Sequence, residues 1–189
     1  YAKKVQDLGA DAIIAVNSNA GGHAGDKIAE ELIPLLKQYC TIPIISAGGV
    51  GSSNGVKKIL SLGASGLSIG SAFIACTESN ISIEYKQACV DYGSSDIVMT
   101  TKISGTPCTV INTPYVQKVG INQNWLEQIM SKNNKIKKWV KMITYFKGMR
   151  SVKKAAFSST YKTVWCAGPS IEYTKEILPI KEIIKRFTI

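Results

Sequence analysis

Residues 11–25 read DAIIAVNSNAGGHAG: a short apolar run, a few polar residues, then a glycine-flanked histidine. A continuous apolar run of this length is typical of a strand covered on both faces. Just upstream, Ala2, Val5 and Leu8 are three residues apart, as on one helix face, and Gly9 is placed to end the turn. A helix therefore leads into a buried strand, and the strand opens into a glycine loop carrying His23, the one histidine of the chain.

The same rhythm continues downstream. Asp26 is a candidate N-cap for a helix whose Ile28, Leu32, Leu35, Leu36 and Tyr39 would form its apolar stripe. IPIISA (42–47) is a second strand, running into Gly48-Gly49. Ser52 or Ser53 can cap a helix through Val56, Ile59 and Leu60, closed by Gly63. GLSIG (66–70) is a third strand, ending at Gly70-Ser71. Alternation of this kind with short connections implies parallel strands joined by right-handed crossovers.

Beyond residue 80 the pattern changes. SIEYKQACVDY (82–92) reads as helix and DIVMTTKIS (96–104) as extended chain, while GTPCTVINTPYV (105–116) is expected to be a loop or edge segment because of its two prolines. From Asn124 to about Lys147 the spacing is helical, with Trp125, Ile129, Ile136, Trp139, Val140, Ile143 and Phe146 expected to pack against the rest. KTVWCAG (162–168) is a short apolar run, and LPIKEIIKRF (178–187) a terminal helix with Pro179 near its first turn.

The composition narrows the class. At 189 residues, 45% hydrophobic and 19% charged, the chain can bury a globular core. No apolar run is long enough to span a bilayer. Five dispersed cysteines without a CxxC pair favour a reducing, cytoplasmic setting, and one histidine leaves little from which to build a metal site; none is expected. The net charge of +10 is concentrated in residues 131–154, which hold nine Lys or Arg and no Asp or Glu. Such a block is either a solvated helix face or a surface for an acidic partner, nucleic acid or anionic membrane.

Three successive strands end in glycine, at Gly21-Gly22, Gly48-Gly49 and Gly70. In parallel α/β folds ligands bind at the carboxyl ends of strands. Glycine lets a ligand approach the main chain, whose N–H groups can hold an anion. SAGGVGSS and SIGSAF thus read as two halves of a phosphate cradle, with Ser71 adding a hydroxyl; the simpler alternative is that the glycines only turn the chain. His23 faces the same end, where an imidazole can take a proton or hold negative charge.

These stretches, with IPIISAGGVGSSNGVKKILSLGASGLSIGSAFIACTES and YKTVWCAGPS, resemble the nitronate monooxygenase family, formerly the 2-nitropropane dioxygenases. The same motifs occur in FMN-dependent enoyl-acyl-carrier-protein reductases. The resemblance implies a TIM-barrel (β/α)8 flavoprotein, of which the chain is the carboxyl-terminal part plus a helical carboxyl-terminal segment. Its division would be 1–110 for the FMN-binding barrel portion and 111–189 for a mainly helical extension with a late barrel-associated segment.

By the same resemblance His23 is the catalytic base or substrate anchor. Gly21 and Gly22 would lie against FMN, and Gly48, Gly49, Ser68, Ile69, Gly70 and Ser71 would hold its phosphate. The implied reaction is oxidation of an alkyl nitronate with O₂ to a carbonyl compound and nitrite. Neither nucleic acid nor membrane is an expected partner, and a partial barrel would leave strand edges open to self-association. Two departures from the family pattern stand out. Val16, Asn17 and Asn19 occupy places where many members carry a Gln-Gly pair and an acidic residue, and Pro169 stands where Gln is common. The alternatives are the enoyl reductase, marked by its need for a reduced nicotinamide, and a non-catalytic fragment binding through its basic helix.

Overall fold

The computed structural model describes residues 1–102, 106–122, 137–157 and 164–188, excluding the side chains at 137–141 and 144. Helix α1 (Ala2–Asp7) leads through Gly9, at φ +91°, into strand β1 (Ile13–Val16). Helix α2 (Ala29–Tyr39), β3 (Ile44–Ala47), α3 (Ser53–Ser61) and β4 (Gly66–Ser68) continue the alternation. The three strands form a parallel sheet in the order β1-β3-β4, with Ile13 opposite Ile44 and Ala47 opposite Ser68. This is the α/β arrangement expected from the sequence. Among the described residues the sheet does not close, and β1 and β4 are its two edges.

A second sheet was not expected. Gly22–His23 (β2), Ile97–Thr100 (β5) and Cys108–Ile111 (β6) form an antiparallel sheet in the order β2-β6-β5. The segment taken for a loop or edge is its central strand, with all four β6 residues buried. Its prolines delimit the strand instead of breaking it: Pro107 precedes it, and Pro114 opens helix α5 (Pro114–Val119), capped by Thr113. The division expected between residues 110 and 111 falls inside β6.

Three details of the helices differ from expectation. Asp26 is not a cap: α2 begins at Ala29, with Ile28 at the N-cap and no side-chain capping bond. Its buried residues are Ala29 and Ile33, while Ile28, Leu35 and Tyr39 are exposed. The cap lies two residues later, at Ile28, and the face that meets the core is the one carrying Ala29 and Ile33, which packs with Val50, Val56 and Ile59. Ser52 does cap α3, accepting from the Gly55 N–H at 3.3 Å.

Helix α4 (Ile83–Asp91) matches its sequence signal, and Ser82 caps it. Tyr85 stacks on Trp165 with ring centroids 5.5 Å apart, in a core shared with Cys89, Ile111 and Ile171. Helix α6 (Lys137–Phe157) extends well past the expected end. Its Ile143 and Phe146 are more than half exposed, contrary to expectation. The inward contacts come instead from Val152, Ala155 and Ala156, smaller residues that let the helix approach closely. Trp125, Ile129 and Ile136 lie outside the described residues, as do the side chains of Trp139 and Val140. Helix α7 (Ile180–Lys185) ends the described chain behind Pro179. Among the described residues no helix is long and apolar enough to cross a membrane.

Candidate functional site

The ends of β1, β3 and β4 meet at one cavity of about 460 Å³. That volume is within the usual range for small-molecule sites. Seven of the eight glycine-junction candidates line it: Gly21, Gly48, Gly49, Ser68, Ile69, Gly70 and Ser71. Gly22 does not line it and pairs with Thr109 in the second sheet. His23 lines the cavity too, from an exposed position in β2 directly opposite Cys108.

The β3 turn shows why the sequence needs its glycines. Gly48 has φ +111° and Gly49 φ +79°, a region that L side chains rarely adopt. A Cβ on Gly48 would sit 2.5 Å from the Ala20 nitrogen and 2.7 Å from Asn17 Oδ1. The two loops are therefore in backbone contact, and Asn17 welds them. Its amide donates to the Gly48 carbonyl at 3.0 Å, and its Oδ1 accepts from the Asn19 N–H at 2.9 Å. Asn17 is almost fully buried, so both bonds are shielded from water.

Ser71 plays a double part. Its Oγ accepts from the Gly168 N–H at 2.9 Å, tying the β4 end to the late segment, while its own proton remains able to donate. Among the described residues no acceptor stands opposite the main-chain N–H groups of Gly49, Val50, Gly70 and Ser71. A Cβ on Gly70 would meet nothing within 4 Å, which marks open space at that turn. Ile14, Val16, Ile74 and Cys166 give the cavity apolar walls. Such walls suit a planar ring system, and the unpaired N–H groups beside the amino end of α3 suit a phosphate. FMN has both parts, so these residues fit it.

Sequence reasoning missed two neighbours of His23. Tyr145 from α6 stacks on the imidazole with centroids 6.3 Å apart and planes 27° from parallel. Cys166 lines the same cavity, 3.8 Å from Cys108 sulfur to sulfur. Both come from segments remote in sequence; Cys166 lies within the YKTVWCAGPS stretch, but its place beside His23 is set by tertiary packing. Among the described residues there is no cluster of three metal-ligating side chains.

Comparison with known proteins agrees with this geometry. A family model described as nitronate monooxygenase matches residues 1–189. The chain belongs to the nitronate monooxygenase family. A probable nitronate monooxygenase of Bacillus subtilis is 28% identical over 191 residues, covering 96% of this chain and 52% of that protein. A nitronate monooxygenase of Paraburkholderia phytofirmans is 36% identical over 113 residues, covering 55% of this chain and 31% of that protein. The solved structure of FabK from Thermotoga maritima superposes with a TM-score of 0.79 at 29% identity, covering 98% of this chain and 56% of that one. This family member thus spans about half the length, or less, of the relatives it matches.

Proposed function

We propose that the cavity binds FMN and that the chain forms the carboxyl-terminal part of a (β/α)8 oxidoreductase acting on alkyl nitronates, with O₂ as oxidant. Residues 1–110 would be its barrel portion and 111–189 the largely helical extension. The observation that carries this reading is the convergence of three strand-end glycine turns on one cavity that His23 also faces. The N–H groups of Gly49, Val50, Gly70 and Ser71 would hold the phosphate, with the Ser71 hydroxyl beside them. Gly21 keeps the wall thin, because a Cβ there would sit 2.8 Å from Ser71 Oγ and from the Gly168 nitrogen.

FMN would supply the redox chemistry, accepting electrons from the substrate. The protein's share is position and charge. A protonated His23 donates to the oxygens of an anionic nitronate, and a neutral one takes a proton from a nitroalkane. The Tyr145 ring lies beside the imidazole, its plane 27° from parallel.

The test is an absorption spectrum of the chain with FMN, followed anaerobically on adding a small alkyl nitronate. A protein-bound flavin band that bleaches and recovers in air supports the reading. Bleaching by NADH and indifference to the nitronate would favour the enoyl reductase alternative, for which the likeness to FabK speaks. A flavin that stays free in solution would refute binding by this chain alone.

A further inference from the structure

Cys108 and Cys166 are 58 residues apart in sequence, yet their sulfurs lie 3.8 Å from each other. Cys108 is buried in β6, whereas Cys166 is half-buried and forms part of the cavity wall. Cys40, Cys76 and Cys89 are each buried, Cys89 in the core that also holds Tyr85 and Trp165. The backbone around the pair is held on several sides. The Ile111 N–H donates to the Trp165 carbonyl at 2.9 Å, and the Trp165 indole donates to the Ala155 carbonyl at 3.0 Å. The Tyr85 hydroxyl donates to the Cys166 carbonyl. Closing a disulfide means bringing the sulfurs to about 2.05 Å, a change that side-chain rotation is suited to supply while the main chain stays in place.

We propose that Cys166 in the cavity wall and Cys108 buried behind it are a redox-active dithiol, which a small hydroperoxide entering through the cavity converts reversibly to a disulfide. The pair shares a hydrogen bond, and this sets the order of events. The Cys166 thiol beside Cys108 holds the Cys108 thiol below its usual range, and the same contact pushes Cys166 up. The first proton therefore leaves from Cys108, and thiolate is the nucleophilic form. Cys108 sulfur attacks one peroxide oxygen, the O–O bond breaks, and the departing hydroxide leaves as water with a proton, giving a sulfenic acid. Cys166 sulfur then displaces the second hydroxyl, which takes the Cys166 proton and leaves as water. Two thiols and one hydrogen peroxide become one disulfide and two waters.

The reaction needs no flavin, so it can be read separately from the proposed oxidation of nitronates. The chain is treated with hydrogen peroxide, unfolded, alkylated with iodoacetamide and mapped by mass spectrometry. The expected result is a fall from five alkylatable thiols to three, one peptide joining Cys108 to Cys166, and full recovery with dithiothreitol. Peroxide added after unfolding in urea should give mixed pairings, because the proximity is tertiary. C108S should give no intramolecular cross-link, and C166S should leave a dimedone-reactive sulfenic acid at Cys108. Five thiols remaining in the folded wild-type chain, or oxidation of single cysteines without the joined peptide, would overturn the proposal. The wild-type mapping decides the matter even where a variant fails to fold.

Discussion

Asn17 shows at the scale of one residue how the cavity is held in shape. Its side chain spans two loops, donating to the Gly48 carbonyl and accepting from the Asn19 N–H, at a position water does not reach. Asn17→Ala removes both bonds and strands the Gly48 carbonyl, so we expect a loss of about 1–3 kcal/mol in urea unfolding. Gly48→Ala should lower stability by at least a similar amount, since backbone strain alone is about 1–3 kcal/mol and a Cβ also meets the Ala20 nitrogen. An unchanged midpoint for either variant would contradict the welded-loop picture. His23 belongs to a different class, being exposed and facing the cavity. On the proposed function, His23→Ala should cut nitronate turnover by about 10²-fold or more while changing FMN affinity by less than about threefold. A larger effect on FMN affinity than on turnover would make it a flavin-holding residue.

Among the elements, helix α7 depends on a carboxylate outside it. Glu78 accepts from the Ile180 N–H through both oxygens, each at 3.0 Å, supplying the cap that Pro179 cannot. The Thr77 hydroxyl and the Ile180 N–H hold the Glu78 carboxyl below its ordinary value of 4.5. Because its pKa is lower folded than unfolded, the contribution is present above pH 4.5 and is lost as pH falls through the folded value. We therefore expect the protection factors of the amides in 180–186, measured against intrinsic exchange rates at each pH, to fall on acidification in this window. Glu78→Gln should show the lower protection already at neutral pH and lose that part of the pH response. An acid response identical in the variant would rule out Glu78 as its origin.

Element types were largely legible in the sequence where local pattern and tertiary demand agree, as in the β1–α2–β3–α3–β4 run and the Ser52 cap. Strand β6 was not, because Pro107 and Pro114 read locally as loop while burial against β2 and β5 makes Cys108–Ile111 a central strand. The α2 and α6 faces also misled, since which stripe is buried depends on what lies opposite. In α6 the small residues Ala155 and Ala156 meet the core, and Phe146 does not.

For the whole molecule, the parallel sheet ends at β1, where Ile14 is 60% and Val16 40% exposed. These two side chains also line the cavity, so its apolar wall and the open edge of the sheet are one surface. An apolar strand with an open edge is an association hazard. We expect the chain to form dimers or larger species in sedimentation velocity as concentration rises, and Ile14→Lys to shift the distribution toward monomer. Dye binding by anilinonaphthalene sulfonate should fall when FMN is added if, as proposed, FMN occupies the same wall. A chain that stays monomeric and binds no dye would show this surface to be covered.

The sequence by itself determined the alternation of helix and strand, the glycine turns and the position of His23 at a strand end. These depend on short-range chemistry: hydrophobic period, capping hydroxyls and backbone freedom at a few residues. Only the tertiary structure decided that Asn17 clasps Gly48, that the Tyr145 ring lies beside His23 and that Cys108 meets Cys166 across 58 residues. Such contacts arise from how separate elements pack, and nothing in the local sequence around either partner encodes the distance between them.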